Sequence, residues 1–295
     1  MDNDMRSSHR VFQDLAHGLF SSSGLWKLTA TLQALLSLWL IQATQHNPSL
    51  TLLAVVVWGG AVICMEDQLE EINPKPTTPS LVVGLILIGY ASWRSTRVLD
   101  VETVSVILPL IQGAGLALLL GPIRQIGRWR DPLIALALLP LQSLATRLLP
   151  EYGLSAVTAR LSQAMLLVFG ENAVVSGRTV TLGERGVYIA GYCNSVDLIA
   201  QLTAIAVVFI LAFPIRSRIT KILFVAIAPV LAVLINSGRI AILATINSAG
   251  MDYGDAVFTF LHDEWGALAF AGIATMILGQ IYLTLINREL SRHNG

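Results

Sequence analysis

The sequence predicts an all-α polytopic membrane protein, with about eight transmembrane helices and a small extracytoplasmic β-hairpin. Composition is the first reason. Of 295 residues, 54% are hydrophobic and only 13% are charged, against about 25% charged in an ordinary soluble domain. A mean hydropathy of +0.67 over the whole chain leaves too few charges to coat a water-soluble globule. The second reason is that the apolar residues gather into eight stretches near the length of a spanning helix, about 20 residues. The third is a polar-interrupted region that breaks this series once, late in the chain. The same composition excludes disorder, which needs few apolar residues and many charges. The 19 basic and 19 acidic residues cancel, so no net field draws nucleic acid.

Residues 1–27 open polar and lack the apolar core and cleavage site of a signal peptide. They read as a cytoplasmic tail, and the first span doubles as the insertion signal. Five spans are expected within 28–146, at 28–44, 50–65, 80–93, 103–121 and 132–146. Three more are expected within 195–286, at 195–213, 222–246 and 265–286. Pro109, Pro140 and Pro229 fall inside these stretches, where neighbouring helices of a bundle tolerate them. No internal repeat stands out, so residues 1–295 read as a single integral membrane domain. With the N-terminus inside, the inner segments hold twelve Lys and Arg and the outer ones seven, four of them in the long region 147–194. The positive-inside rule then puts both termini in the cytoplasm, in a multi-pass protein of the plasma (inner) membrane. The segment from Glu66 to Lys75, with the acids Glu66, Asp67, Glu70 and Glu71, reads as a solvated inner loop.

Region 147–194 is expected to lie outside the membrane as a helix followed by a hairpin. Leu154 to Phe169 is apolar but interrupted by Arg160, Ser162 and Gln163, the mark of an interfacial or re-entrant helix rather than a ninth span. The β-branched runs that follow are joined at Ser176-Gly177, with a second turn at Gly183 to Gly186, a β-hairpin signal. This hairpin leads into Cys193 at the lip of the sixth span.

Three residues far apart in sequence fall at this outer depth. Cys193 immediately precedes the sixth span. Arg239 lies about 26 Å up the seventh helix at 1.5 Å per residue, near the outer edge of a ~30 Å hydrocarbon core. His262 stands just before the eighth span. Two cysteines, Cys64 and Cys193, exclude a disulfide scaffold and a cysteine-rich metal site. Cys64 reads as a packing residue. Cys193 has its only possible disulfide partner near the opposite face, and a lone thiol in an oxidising compartment is an odd choice for packing. Arg239 sits in an apolar setting where an arginine is costly and usually functional, the alternative being snorkelling to headgroups. His262 has an interfacial reading as its alternative.

Together the three suffice for acyl transfer. A thiol is mostly protonated near neutral pH, and a nearby imidazolium or guanidinium is expected to make Cys193 unusually acidic and reactive. His262 can protonate a leaving amine, and Arg239 can hold a carbonyl and its oxyanion. Asp197, four residues after Cys193, and Asp263 and Glu264 beside His262 are candidates to orient the imidazole. One Cys and one His near carboxylates fall short of a usual metal ligand set, and no metal is expected.

At these residues the chain resembles the exosortase/archaeosortase family of multi-span cysteine transpeptidases. The resemblance rests on Gly191-Tyr192-Cys193-Asn194-Ser195, on Asn236-Ser237-Gly238-Arg239 and on His262-Asp263-Glu264-Trp265-Gly266. The family's Cys-Ser-Gly is replaced by Cys193-Asn194-Ser195, which points to a divergent, cyanobacterial-type branch, while its Asn-x-x-Arg is kept as Asn236 to Arg239. The resemblance implies Cys193 as nucleophile, Arg239 and His262 as the other catalytic residues, and Asn236 in support. It implies a protease/transpeptidase that cleaves a C-terminal sorting signal of exported surface proteins through a thioester. That signal is a short motif of the Pro-Glu-Pro kind, a spanning helix and a basic tail (PEP-CTERM-like). No organic cofactor is implied. The competing reading is a transporter or channel subunit with Arg239 and Asp197 in a polar pathway, which should tolerate loss of Cys193.

Overall fold

The computed structural model describes residues 22–72, 76–97, 102–190, 193, 195–249 and 254–291. In chain order they form helices α1 (Ser22–Gln45), α2 (Pro48–Ile72), α3 (Thr78–Ser95) and α4 (Glu102–Leu120). A 3₁₀ turn (Ile123–Trp129), α5 (Arg130–Leu148) and α6 (Glu151–Val168) follow, then strands β1 (Ala173–Ser176), β2 (Thr179–Leu182) and β3 (Arg185–Tyr188). The described chain closes with α7 (Val196–Ala212), α8 (Arg218–Ala249), α9 (Gly254–His262) and α10 (Glu264–Ser291).

Each of the eight apolar stretches lies within one of these helices to within a residue, yet length and composition single out fewer crossings than eight. Among the described residues, three helical segments are long and apolar enough to cross a membrane: Pro48–Leu69, Arg218–Ala249 and Trp265–Ser291. The pair Ile123–Leu148 and Glu151–Val168, bent by 82°, makes a fourth if it is one broken span. Val104–Leu120 and Val196–Ala212 are apolar but short. The shortfall has a physical origin in polar side chains that the helices carry among their apolar ones, such as Lys27, Gln33 and Ser37 in α1 and Thr78, Ser80 and Arg94 in α3. On α8 and α10 the large apolar side chains Ile222, Val230, Met276 and Leu283 are exposed, a surface suited to lipid rather than water.

The chain divides into two compact units, Met1–Gln45 with Trp58–Ala137 and His46–Val57 with Leu138–Gly295. In the first, α3 and α4 approach so closely that a Cβ on Gly84 would lie 2.8 Å from the Gly115 carbonyl oxygen, and one on Gly115 3.0 Å from that of Gly84. Small residues permit this contact, which apolar side chains alone would hold apart. Ser80 donates to the Leu118 carbonyl at 2.6 Å, Ser37 donates to Gln112 Oε1, and Gln45 Nε2 donates to Ser105 Oγ at 3.0 Å. Glu66 and Asp67, expected in a loop, lie on the helix instead, because α2 continues to Ile72 through a run of strong helix formers. Glu66 is paired with Lys27 there; the side chains of Glu70 and Glu71 lie outside the described residues.

The second unit is organised around α8, against which α6, α7, α9, α10 and the sheet pack. Its buried residues Ala228, Ala232, Asn236, Arg239 and Leu243 recur every three or four positions, the spacing of one helical face. Helix α6 stands where an interfacial or re-entrant helix was expected. It ends with Gly170 at φ +84°, the Gly170 N–H donating to Leu167 O and the Glu171 N–H to Leu166 O, both at 3.0 Å. This pair of bonds needs a left-handed residue past the helix end, which glycine supplies without strain. The expected hairpin proves to be a three-stranded antiparallel meander, β1-β2-β3. Ser176 pairs with Thr179 and Leu182 with Arg185, so each turn has two central residues. Gly177 and Gly183 take the first place at φ +61° and +65°, as type II′ turns require. Gly186, expected in the second turn, lies inside β3 opposite Thr181.

Candidate functional site

The meander's buried face (Val180, Leu182, Val187) joins Ile189, Cys193 and the α8 residues Ile240, Leu243 and Ala244 in one apolar cluster, with Phe258 and Leu261 of α9 packed against it. Cys193 is therefore a core residue of the second unit, with none of its surface exposed. Burial pushes its thiol above the ordinary value; the Arg239 guanidinium pulls it down by less, and Asp263 adds to the rise. The expected acidic, accessible thiol is thus not the resting one. Desolvation of a thiolate outweighs the single nearby cation.

The backbone at Cys193 is held from α8. Asn236 Nδ2 donates to the Cys193 carbonyl at 2.8 Å and to Ser195 Oγ at 3.1 Å. Ser195 in turn shares a 2.8 Å hydrogen bond with Thr158 of α6. All of these side chains are buried, where an amide or hydroxyl without a partner would be costly. Residues 191, 192 and 194 lie outside the described residues.

Arg239, three residues on from Asn236 and only 2% exposed, takes up the end of α9. Its Nε donates to Leu261 O at 2.9 Å and its Nη2 to His262 O at 2.7 Å, with Asp263 O at 3.4 Å. Carbonyls in the last turn of a helix have no partner within it, and a cation there is also favoured by the helix dipole. The buried charge is thus compensated by backbone, and the snorkelling alternative does not describe it. The His262 ring stacks on Phe258, centroids 5.4 Å apart and planes 17° apart. Its Nδ1 lies 3.7 Å from Asp263 Oδ1, ion-pair range rather than a hydrogen bond. Among the described residues no hydrogen bond joins the Cys193 thiol to His262.

Asp197 stands elsewhere. Helix α7 begins at Val196, so Cys193 is not on it and the four-residue spacing does not make the two share a helical face. Asp197 lines a cavity of about 40 Å³ with Gln201, Asn236 and Arg239, and Asn47, Ser49 and Phe270 also stand in its wall. That volume accommodates a water or two, not a peptide. Its wall includes neither His262 nor Asp263. The side chain of Glu264 lies outside the described residues. Among the described residues no group of three or more His, Cys, Asp or Glu is arranged to hold a metal ion. Thr158 and Gln201 are participants that the sequence reading missed. A signal for the former was present in Ser155, Thr158 and Ser162, a run of small hydroxyl residues at helical spacing, all buried.

The transmembrane exosortase family model matches residues 39–279, well over half of the chain. The chain belongs to the transmembrane exosortase family. Family membership suggests a membrane transpeptidase or protein-sorting function, and the match extends from α1 to α10 rather than resting on the late motifs alone. It identifies the family and no branch within it. No curated protein and no solved structure matches the chain. In this family member the Asn236-x-x-Arg239 pair occupies one buried face of α8, with one residue gripping the backbone of Cys193 and the other that of His262.

Proposed function

We propose that this exosortase is a membrane-embedded cysteine protease/transpeptidase that cleaves a C-terminal sorting signal of exported proteins on the outer face of the plasma membrane. Both termini are cytoplasmic in this reading, and all eight apolar helices cross the bilayer. The Cys193 thiol, giving up its proton to His262, attacks the scissile carbonyl. The tetrahedral intermediate collapses to a thioester as the C–N bond breaks, and His262 returns the proton to the leaving amine. An acceptor nucleophile then takes the acyl group and releases the thiol. Because the resting thiol is buried and protonated, the substrate must open the cluster over Cys193 before attack. The expected substrate carries a short motif of the Pro-Glu-Pro kind, one spanning helix and a basic tail.

The observation that carries this reading is the shared anchoring of two reactive residues. Asn236 and Arg239, on one helix face, fix the backbones of Cys193 and His262, as positioning before reaction requires. A transporter pathway through Asp197 and Arg239 has less support, because the cavity they line holds only about 40 Å³. The test is maturation of a tailed surface protein in cells carrying Cys193→Ala or Cys193→Ser. Both should abolish cleavage, by on the order of 10³-fold or more, with wild-type levels of protein in the membrane. Normal maturation in either variant would sink the proposal.

A further inference from the structure

The junction between α9 and α10 is a single residue long. Helix α9 ends at His262, Asp263 forms the bend, and α10 starts at Glu264. The Asp263 N–H still donates to Thr259 O at 2.9 Å, while its carbonyl already accepts from the Ala267 N–H at 3.1 Å. One residue therefore closes one helix and opens the next. The first turn of α10 lies directly against the last turn of α9, and Gly266 is where they meet. A Cβ there would lie 2.4 Å from Leu261 O, 2.5 Å from Leu261 Cα and 2.6 Å from Leu261 C. All three are backbone atoms, so no side-chain rotation relieves the overlap. From α8, Arg239 draws on the same residues, through the carbonyls of Leu261, His262 and Asp263.

We propose that Arg239 and Gly266 form a clamp on the α9–α10 junction that sets the position of His262, making Gly266 a positioning residue and giving Arg239 a duty that precedes any contact with substrate. Gly266 lets the two turns touch, and Arg239 fixes the rotation of the α9 end by binding adjacent carbonyls with separate nitrogens. A planar guanidinium can do this where a point charge cannot. The His262 ring leaves the chain between the two constraints, against Phe258, so a shift of the junction is a shift of the imidazole. The catalytic importance of the clamp rests on the proposed role of His262; its effect on where that residue stands does not.

The test measures the imidazole directly. The full-length protein, in vesicles of native lipid and without substrate, is treated with diethyl pyrocarbonate. The rate of carbethoxylation at His262 is followed by peptide mass spectrometry, with His46 as internal reference. Arg239→Gln in a Cys193→Ala background should change the His262 rate severalfold and leave His46 unchanged. An arginine that acts only on substrate would leave both rates as they are. Gly266→Ala should shift the same rate, while Gly272→Ala, where an added Cβ meets nothing within 4 Å, should not. Gly266→Ala should also lower kcat by about tenfold or more with KM little changed, and adding Leu261→Ala should not restore it, since the clash is with backbone. Unaltered His262 reactivity in Arg239→Gln overturns the proposal even where Gly266→Ala does not fold. So does rescue by Leu261→Ala. If His262 reactivity shifts as expected while Cys193→Ala still matures substrate, the clamp stands and the transpeptidase reading falls.

Discussion

Buried polar side chains serve two different ends in the two units. In the first, they join helix to helix: Ser37 meets Gln112, Gln45 meets Ser105, and Ser80 reaches the carbonyl of Leu118 on α4. In the second, the longest ones reach from helix to irregular backbone: Asn236 to the carbonyl of Cys193, Arg239 to the carbonyls that end α9. Where lipid surrounds a protein, non-helical backbone is tolerated only if the protein itself satisfies it. The first unit has the adhesive polarity of packed helices, worth about 0.6–2 kcal/mol per bond. The second uses polar groups as fixtures that hold loops in a chosen shape.

That contrast can be broken by substitution, most severely at Arg239. Arg239→Lys should lower processing by on the order of 10²-fold, nearly as much as Arg239→Ala, because one ammonium cannot serve several carbonyls with a fixed geometry. Near-normal maturation with lysine would reduce the residue to a plain buried charge. Asn236→Leu keeps the branched shape and number of heavy atoms but leaves the Cys193 carbonyl without its partner, at a cost of about 1–3 kcal/mol. Processing should fall by about tenfold, and maleimide labelling of Cys193 should quicken as its turn loosens. Gly84→Leu in the first unit should instead reduce thermal stability in detergent by about 1–3 kcal/mol, leaving kcat per folded molecule unchanged. A selective loss of kcat there would place the first unit in the site.

The smallest expected effect is on pH dependence. Since burial raises the Cys193 pKa, the thiolate is scarcer at neutral pH than in a free thiol, whose pKa is about 8.5. The rate of alkylation should therefore climb with a midpoint above that of Cys in a short peptide. Asp263→Asn removes a group that raises it and should move the midpoint down, whereas Arg239→Gln removes one that lowers it and should move it up. A midpoint below the peptide's would show an activated resting thiol after all.

What was legible in the sequence were the features set by local chemistry. The apolar runs became helices, Gly177 became a turn residue, and the motif from Asn236 to Arg239 came out on the helix of the seventh apolar run. The third strand was not legible, because Gly183 to Gly186 reads as one long turn until the pairing of Leu182 with Arg185 closes it after two residues. The number of crossings depends on whether Lys27, Gln33 or Arg94 interrupts a span or lies beside it, which a run of letters does not disclose. The spacing of Cys193 and Asp197 misleads for a similar reason. A four-residue spacing has meaning only once the helix has begun, and α7 begins after Cys193. Burial of the thiol is a product of the meander folding over α8, and no neighbour in sequence records it.

In the proposed topology, the buried thiol has a further consequence for endurance outside the cell. A cysteine held as an exposed thiolate in an oxidising medium is open to peroxide, passing to sulfenic acid and then to forms that cannot be reduced. Cys193, protonated and with no surface to the medium, offers an oxidant neither the reactive form nor a path to it. In the proposed mechanism its chemistry becomes available only while a substrate holds the cluster apart, which confines contact with oxidant to the time spent in turnover.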